Sequence, residues 1–430
     1  MRELHISADD LVDRLLASDD EGMCILDSCG VGHLNSHLLI AGLSPSRIII
    51  ADDGRTALQE LDRIVGGNEA AIFTLSYDLG NHIQGVSSAR VGAEPLAFIA
   101  TFNSLIVHDY DSGSTNITGS DSAVSDLERS SIAPKPPVRA HIPAVSARSS
   151  TARSVYLQTI EAIKEEIRCG NTYQTNLTRQ IEARLHPNVS ESAVFQRLRS
   201  RHPAPFSAYI KRPGSTVISA SPERFFKIEN GSISASPIKG TRPRGADLIE
   251  DERLRNELLN SDKDRAENTM IVDLLRNDLG RVCAFGSVAV ESLCEIEEHP
   301  SLFHLVSTIS GNLRPKLKFS EILAALFPCG SITGAPKLST MKIIDRLEST
   351  PRGLSMGAIG YYMPASFGIE QSLDLSVAIR TMVIKDQSAT FNVGGGIVID
   401  SDPEKEWDET VTKSRALLDA LGIDPNEVAE

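Results

Sequence analysis

Apolar residues recur along this chain in two rhythms, and the two come in separate blocks. Near the N-terminus, Leu11, Leu15 and Leu16 between acidic residues predict a short amphipathic helix, while Met23–Leu26 and Arg47–Ala51 read as strands. From Ala152 the pattern tightens. Val155, Leu157, Ile160, Ile163 and Ile167 predict a helix, with Thr151 or Ser154 as N-cap and Gly170 as the stop. Alternating runs at 216–220, 232–236 and 390–393 predict strands, and helical spacing is seen over 252–275, 320–326, 335–348 and 403–421. Strands and helices in separate runs predict an α+β fold, in which large antiparallel β-sheets form a sandwich core flanked by helices. The segment 111–151 is rich in Ser, Thr and Gly, carries Ala133-Pro-Lys-Pro-Pro137, and lacks periodicity, so it is expected to be a linker or mobile loop. It separates an N-terminal region, 1–110, from a main domain at 152–426.

Composition narrows the classes. With 430 residues, 41% of them hydrophobic, the chain can bury a large core. Its net charge of -14 disfavours nucleic acid, and means that an anionic substrate needs a local cationic site. Six cysteines without CxxC spacing suggest reduced thiols and a cytoplasmic protein. The acidic N-terminus does not resemble a signal peptide, and no apolar run reaches the length of a membrane span.

Chemistry concentrates after residue 152. In Ser236-Pro-Ile-Lys-Gly-Thr-Arg-Pro-Arg-Gly245, alternation ends in a Gly-Thr-Arg-Pro turn, which puts Lys239 at a sheet rim, as an amine nucleophile or as a solvated lysine. Glu267 precedes Met270 by three residues and Leu274 by seven, on the inward side of a predicted helix. Glu406 and Glu409 lie three apart near the start of the last helix, after an Asp402 N-cap and Pro403. Inward carboxylates on two helices suit a hard cation such as Mg²⁺, but from spacing alone ordinary helix salt bridges, for example Glu409 with Lys413, are the simpler reading. Phe327–Lys337 is glycine-rich and leads into a helix, so its backbone N–H groups are a candidate anion cradle. The run Gly394, Gly395 and Gly396 is flanked by strand-like sequence on both sides, which fits close backbone approach to a ligand. Arg380 ends an apolar strand as a carboxylate grip or a buried ion pair, and His304 among apolar neighbours reads as a core histidine.

Taken together, these blocks resemble the chorismate-binding enzyme family, which includes anthranilate, aminodeoxychorismate, isochorismate and salicylate synthases. The resemblance rests on Gly170-Asn-Thr-Tyr-Gln-Thr-Asn-Leu177, Ser221-Pro-Glu-Arg-Phe225, the Lys239 segment, Ala266-Glu-Asn268 with Arg276–Gly280, His304–Thr308, Gly330–Lys337, Ala378-Ile-Arg380 and Glu406–Thr410. It covers about two-thirds of the chain, with the blocks in the family's order.

Two positions bear on which reaction is run. The water-using branch has a lysine base where this chain has Gln174, and a glutamine cannot take that proton. Lys239 replaces the alanine typical of anthranilate synthases, and with Gly330-Ser-Ile-Thr333 and Leu75-Ser-Tyr-Asp-Leu-Gly80 it resembles the aminodeoxychorismate branch. The resemblance then implies conversion of chorismate and ammonia to 4-amino-4-deoxychorismate. In it, Lys239 is the covalent nucleophile, with a pKa that must be lowered, Glu223 shuttles protons, and His304 sits near the departing hydroxyl. Arg380, Ser331, Thr241, Lys337 and Gly394–Gly396 would bind substrate, and Glu267 and Glu406, assisted by Glu409, would hold Mg²⁺. No cysteine lies in a glutaminase nucleophile turn, so ammonia is expected from a separate glutaminase subunit. The alternatives are amination at carbon 2, as in anthranilate synthases, and a non-enzymatic regulatory relative. Relatives carry an aromatic-amino-acid pocket formed partly by a Leu-x-Ser segment, to which Leu26-Asp-Ser28 corresponds only loosely.

Overall fold

The computed structural model describes residues 2–429 except 19, 33–35, 89, 91, 120–142, 299–301 and 369. Two large antiparallel sheets dominate it, one of twelve strands and one of ten among the described residues. Between them packs an apolar layer that takes Cys24, Ile40, Ala208 and Val217 from the first sheet and Ile72, Phe98, Ala100 and Ile359 from the second. The outer face of the first sheet is covered by the helices Ala8–Leu16, Glu191–Arg201 and Pro403–Leu421, through Leu11, Leu15, Phe195, Leu417 and Leu418. The second is covered by Gly54–Ile64, Asp262–Gly280 and Phe319–Leu326, through Leu61, Ile271, Leu275 and Leu323. Helices, sheet, sheet, helices is the flanked sandwich that the separate blocks of the two rhythms imply. No helix among the described residues is long and apolar enough to cross a membrane.

Strands from both ends of the chain interleave. Cys24–Asp27 pairs with Phe206–Arg212, and Ala70–Leu75 pairs with Ala358–Met363, so residues before 110 sit inside both sheets. Of the expected linker at 111–151, residues 120–142 lie outside the described residues, while Ser114–Gly119 and Ser146–Ser149 are strands.

Three local expectations differ from what forms. The helical run 252–275 is two helices, Leu248–Leu259 and Asp262–Gly280, because Ser261 caps the second by accepting the Asp264 N–H. The helix Arg153–Arg168 starts at Ala152, without a side-chain cap. Finally, Ile238–Pro243 is not a turn but an edge strand of the ten-stranded sheet, paired with Leu302–Asn312. Its register shifts between Ile238 and Thr241, which makes Lys239 and Gly240 a bulge.

Candidate active site

The bulge opens onto a cavity of about 570 Å³. Gly240 has φ +82°, and a Cβ there would meet Leu258 Cδ1 at 2.7 Å and Asp264 Cγ at 2.9 Å. Only glycine fits, and the bulge it permits aims Lys239 into the cavity instead of along the sheet face.

Facing the bulge is a set of acids. Asp262–Gly280 presents Lys263, Asp264 and Glu267, and Pro403–Leu421 presents Glu406, Glu409 and Lys413. Burial raises the Glu267 carboxyl above its usual pKa, opposed by Lys239 and Lys263. Burial raises that of Glu406 too, against a hydrogen bond of 2.7 Å from Ser401 Oγ. For Glu409 burial is outweighed by Lys413, 2.6 Å away, and the net shift is downward. The helix salt bridge allowed by the sequence therefore forms, and Lys413 also donates to the Gly394 carbonyl at 2.9 Å.

Carboxylate oxygens are the ligand type that hard divalent cations take. A Cβ on Gly395 would lie 3.1 Å from Glu406 Oε2 and 3.5 Å from Glu409 Oε1, so glycine keeps open a cradle of carboxylate oxygens. The oxygens of Glu267, Glu406 and Glu409 do not all close within 4.8 Å of one another, and Lys413 holds one of the three.

The remaining walls carry hydrogen-bonding and cationic groups. Ser331 Oγ donates to Glu223 Oε1 at 2.7 Å, deep in the cavity. His304 also lines it, with Nδ1 2.9 Å from Thr241 Oγ1, so this is no simple core histidine. Arg380 is held at φ 48°, a left-handed conformation that costs about 1–2 kcal/mol and turns its side chain into the cavity. Arg380 keeps solvent exposure, but the protein packed around its guanidinium depresses its pKa, and no carboxylate among the described residues pairs with it. A buried ion pair is thus not its role. It is a cation without a carboxylate partner among the described residues, on the cavity wall.

Lys337 stands apart. Its ammonium pairs with Asp278 at 2.7 Å and donates to the Leu326 carbonyl at 2.7 Å, fastening three helices instead of lining the cavity. The helix Lys337–Leu347 likewise points no N-terminus at the site; the cavity is met by Ser331 and Ile332 of the preceding 3₁₀ turn Gly330–Ile332. Gln174 is wholly buried behind Gly396, and both its amide heteroatoms lack partners.

Asn176, Asn392, Lys263, Asp264 and Lys413 also line the cavity and went unnoticed as site residues in the sequence. Asp264 had a signal. It stands three residues before Glu267, the same spacing as Glu406 and Glu409.

A family model described as chorismate binding enzyme matches residues 36–419. The chain belongs to that family. It is 42% identical to an aminodeoxychorismate synthase of Streptomyces pristinaespiralis over 67% of this chain, but spans only 40% of that relative. It is 36% identical to aminodeoxychorismate synthase component 1 of Bacillus subtilis, across 83% of this chain and 78% of that one. Among solved structures it is similar to anthranilate synthase component I from Streptococcus pneumoniae, with a TM-score of 0.79 and 26% identity, covering 90% of this chain and 93% of that one. Relatives thus carry both amination names, and the branch rests on this chain's own residues.

Leu26, Asp27 and Ser28 line a separate cavity of about 70 Å³, together with Phe206 and Tyr361. Asp27 is occupied by Arg199 at 2.6 Å and by the Tyr110 hydroxyl at 2.8 Å.

Proposed function

We propose that this chain is a chorismate-aminating enzyme of the aminodeoxychorismate synthase component I type, which places ammonia on ring carbon 4. The observation that carries the reading is Lys239, an amine aimed by a bulge into a cavity that also holds an unmatched arginine and a carboxylate–hydroxyl pair. Chorismate is a dianion with a leaving hydroxyl, and those are the groups it needs.

In this scheme Arg380 and the Gly394–Gly396 backbone grip the substrate carboxylates and orient the ring. The neutral amine of Lys239 attacks carbon 2; the two ring double bonds relay the electron pair, and the carbon 4–oxygen bond breaks. Glu223, bonded by Ser331, gives the departing hydroxide a proton, so water leaves. Ammonia then attacks carbon 4, the electron pair returns along the ring, and the carbon 2–nitrogen bond to Lys239 breaks. Glu223 takes back a proton from the new ammonium. Two displacements replace one difficult substitution. Glu267, Glu406 and Glu409 would hold Mg²⁺, which supplies positive charge for the ring carboxylate. Ammonia would come from a separate glutaminase subunit.

The second reading is amination at carbon 2, favoured by the similarity to anthranilate synthase component I. Lys239 argues against it by occupying the approach to that carbon. The purified chain with chorismate, Mg²⁺ and ammonium salt is expected to yield a product one mass unit below chorismate, with nitrogen on carbon 4. Anthranilate would establish the second reading instead, and no product at any ammonium concentration would refute both.

A further inference from the structure

The motif Leu75-Ser-Tyr-Asp-Leu-Gly80 touches no residue of the proposed chemistry, yet it meets the cavity through one arginine. Arg352 is almost fully buried, and four of its hydrogen bonds radiate in different directions. Nε and Nη2 donate to Glu348 at 2.9 and 2.7 Å; Nη1 donates to the Ile332 carbonyl at 2.9 Å, and Nη2 to the Asn176 carbonyl at 2.7 Å. Ile332 and Asn176 are both cavity-lining residues, and Ile332 follows the serine that holds Glu223.

Glu348 reaches a third wall. Its Oε1 accepts the N–H and hydroxyl of Thr178, at 2.7 and 2.9 Å, and that hydroxyl accepts from Asn392 Nδ2 at 3.2 Å. Asn392 lines the cavity just before the glycine run. One buried ion pair therefore fixes three walls that are remote in sequence.

The N-terminal motif closes this hub from behind. The Tyr77 ring lies under the Arg352 guanidinium, 4.5 Å from its centroid. The residue next to Arg352 is clasped on both sides. The Gly353 carbonyl accepts from Tyr77 N at 2.7 Å and Ser76 Oγ at 2.8 Å, and its N–H donates to Asp78 Oδ2 at 3.2 Å.

We propose that Arg352 and Glu348 are positioning residues for the cavity, and that the Ser76–Asp78 segment is the buttress that sets their orientation. The proposal rests on the reading of the cavity as a chorismate-aminating site. A lysine keeps the charge of Arg352 but cannot serve both carbonyls and both Glu348 oxygens at once, so orientation fails while the ion pair survives. The Tyr77 side chain supplies a ring face and nothing else, since its buried hydroxyl has no partner.

The test pairs Arg352→Lys with Tyr77→Phe and Tyr77→Leu, assayed with chorismate, Mg²⁺ and ammonium salt beside thermal unfolding. Arg352→Lys is expected to fold, to lose about 10–100-fold in kcat, and to keep the chorismate KM within about threefold, because Arg380 is untouched. Tyr77→Phe is expected to match the unmodified chain, and Tyr77→Leu to lose about tenfold in kcat. Hydrogen exchange at the Asn176 and Thr178 amides is expected to rise in Arg352→Lys and Tyr77→Leu but not in Tyr77→Phe, whatever the product. Unchanged exchange in the first two would overturn the proposal even if the unmodified chain proved inactive on chorismate. Unchanged kcat per folded molecule in Arg352→Lys, with a lower melting temperature alone, would reduce the pair to a structural role and overturn it as well.

Discussion

Two groups of charge meet at the wall made by Asn176 and Ile332, and they are built in opposite ways. Behind the wall, Arg352, Glu348 and Thr178 are matched donor to acceptor, with the tyrosine ring completing the shell. In front of it, Arg380 lacks a carboxylate, while Glu267 and Glu406 hold carboxyls raised by burial. The matched group spends its charge on shape. The front group leaves more of its charge facing the cavity, and burial of the Glu267 and Glu406 carboxyls there opposes their ionisation.

That contrast can be broken at several points. The largest effect is expected at Lys239, where Lys239→Ala should cost at least about 10³-fold in 4-amination, with residual ammonia addition shifting toward carbon 2. The peptide containing Lys239 should carry a chorismate-derived mass adduct when ammonia is withheld. If Lys239→Arg kept full activity and no adduct formed, charge alone would explain the residue. Next comes the front group: Glu267→Gln and Glu406→Gln should each abolish Mg²⁺-dependent turnover. The folded carboxyls hold protons to higher pH than unfolded ones, so their ionisation opposes folding as pH rises, and the glutamine variants should melt slightly higher at pH 7 than the parent. Titration calorimetry with Mg²⁺ should show the loss of binding directly.

At its centre the rear group should answer with the opposite sign. Glu348→Gln strands a buried guanidinium and should cost about 3–5 kcal/mol in denaturant unfolding. The smallest effect lies at the edge of that group. Burial lifts the Asp78 carboxyl from 3.8 to about 6, against the Gly353 N–H that lowers it. The folded state thus binds more protons across that window, and stability falls as pH climbs through it and stays lower above. Asp78→Asn should therefore stabilise by about 1–3 kcal/mol at pH 7 and give nothing near pH 3.5, as measured by unfolding at the two pH values.

The contrast also marks what was legible. Residues of types that reaction chemistry calls for stand out at recognisable spacing, so Lys239, Glu267, Glu406, Glu409 and Arg380 are legible before any coordinates, and one cavity collects them. Lys337 stood out by its place in a glycine-rich helix entry, yet its partner Asp278 lies far away in sequence, and no local pattern announces a tertiary ion pair. The same limit hid Arg352, whose four acceptors come from residues 176, 332 and 348. In sequence the strand after Lys239 is hard to tell from a turn, because glycine and proline punctuate both; only the pairing with Leu302–Asn312 separates them. The sandwich itself was legible, since period and block order determine it without long-range detail.

The interleaving of strands has a practical consequence. A fragment starting at residue 152 would retain the cavity residues yet leave Phe206–Arg212 and Ala358–Met363 without Cys24–Asp27 and Ala70–Leu75. Two long apolar strands would become raw margins, ready to recruit one another from neighbouring molecules. Expression trials that trim to the motif-bearing segment should therefore recover inclusion bodies, and adding the missing N-terminal piece as a separate polypeptide during refolding is the rational way to make that segment soluble.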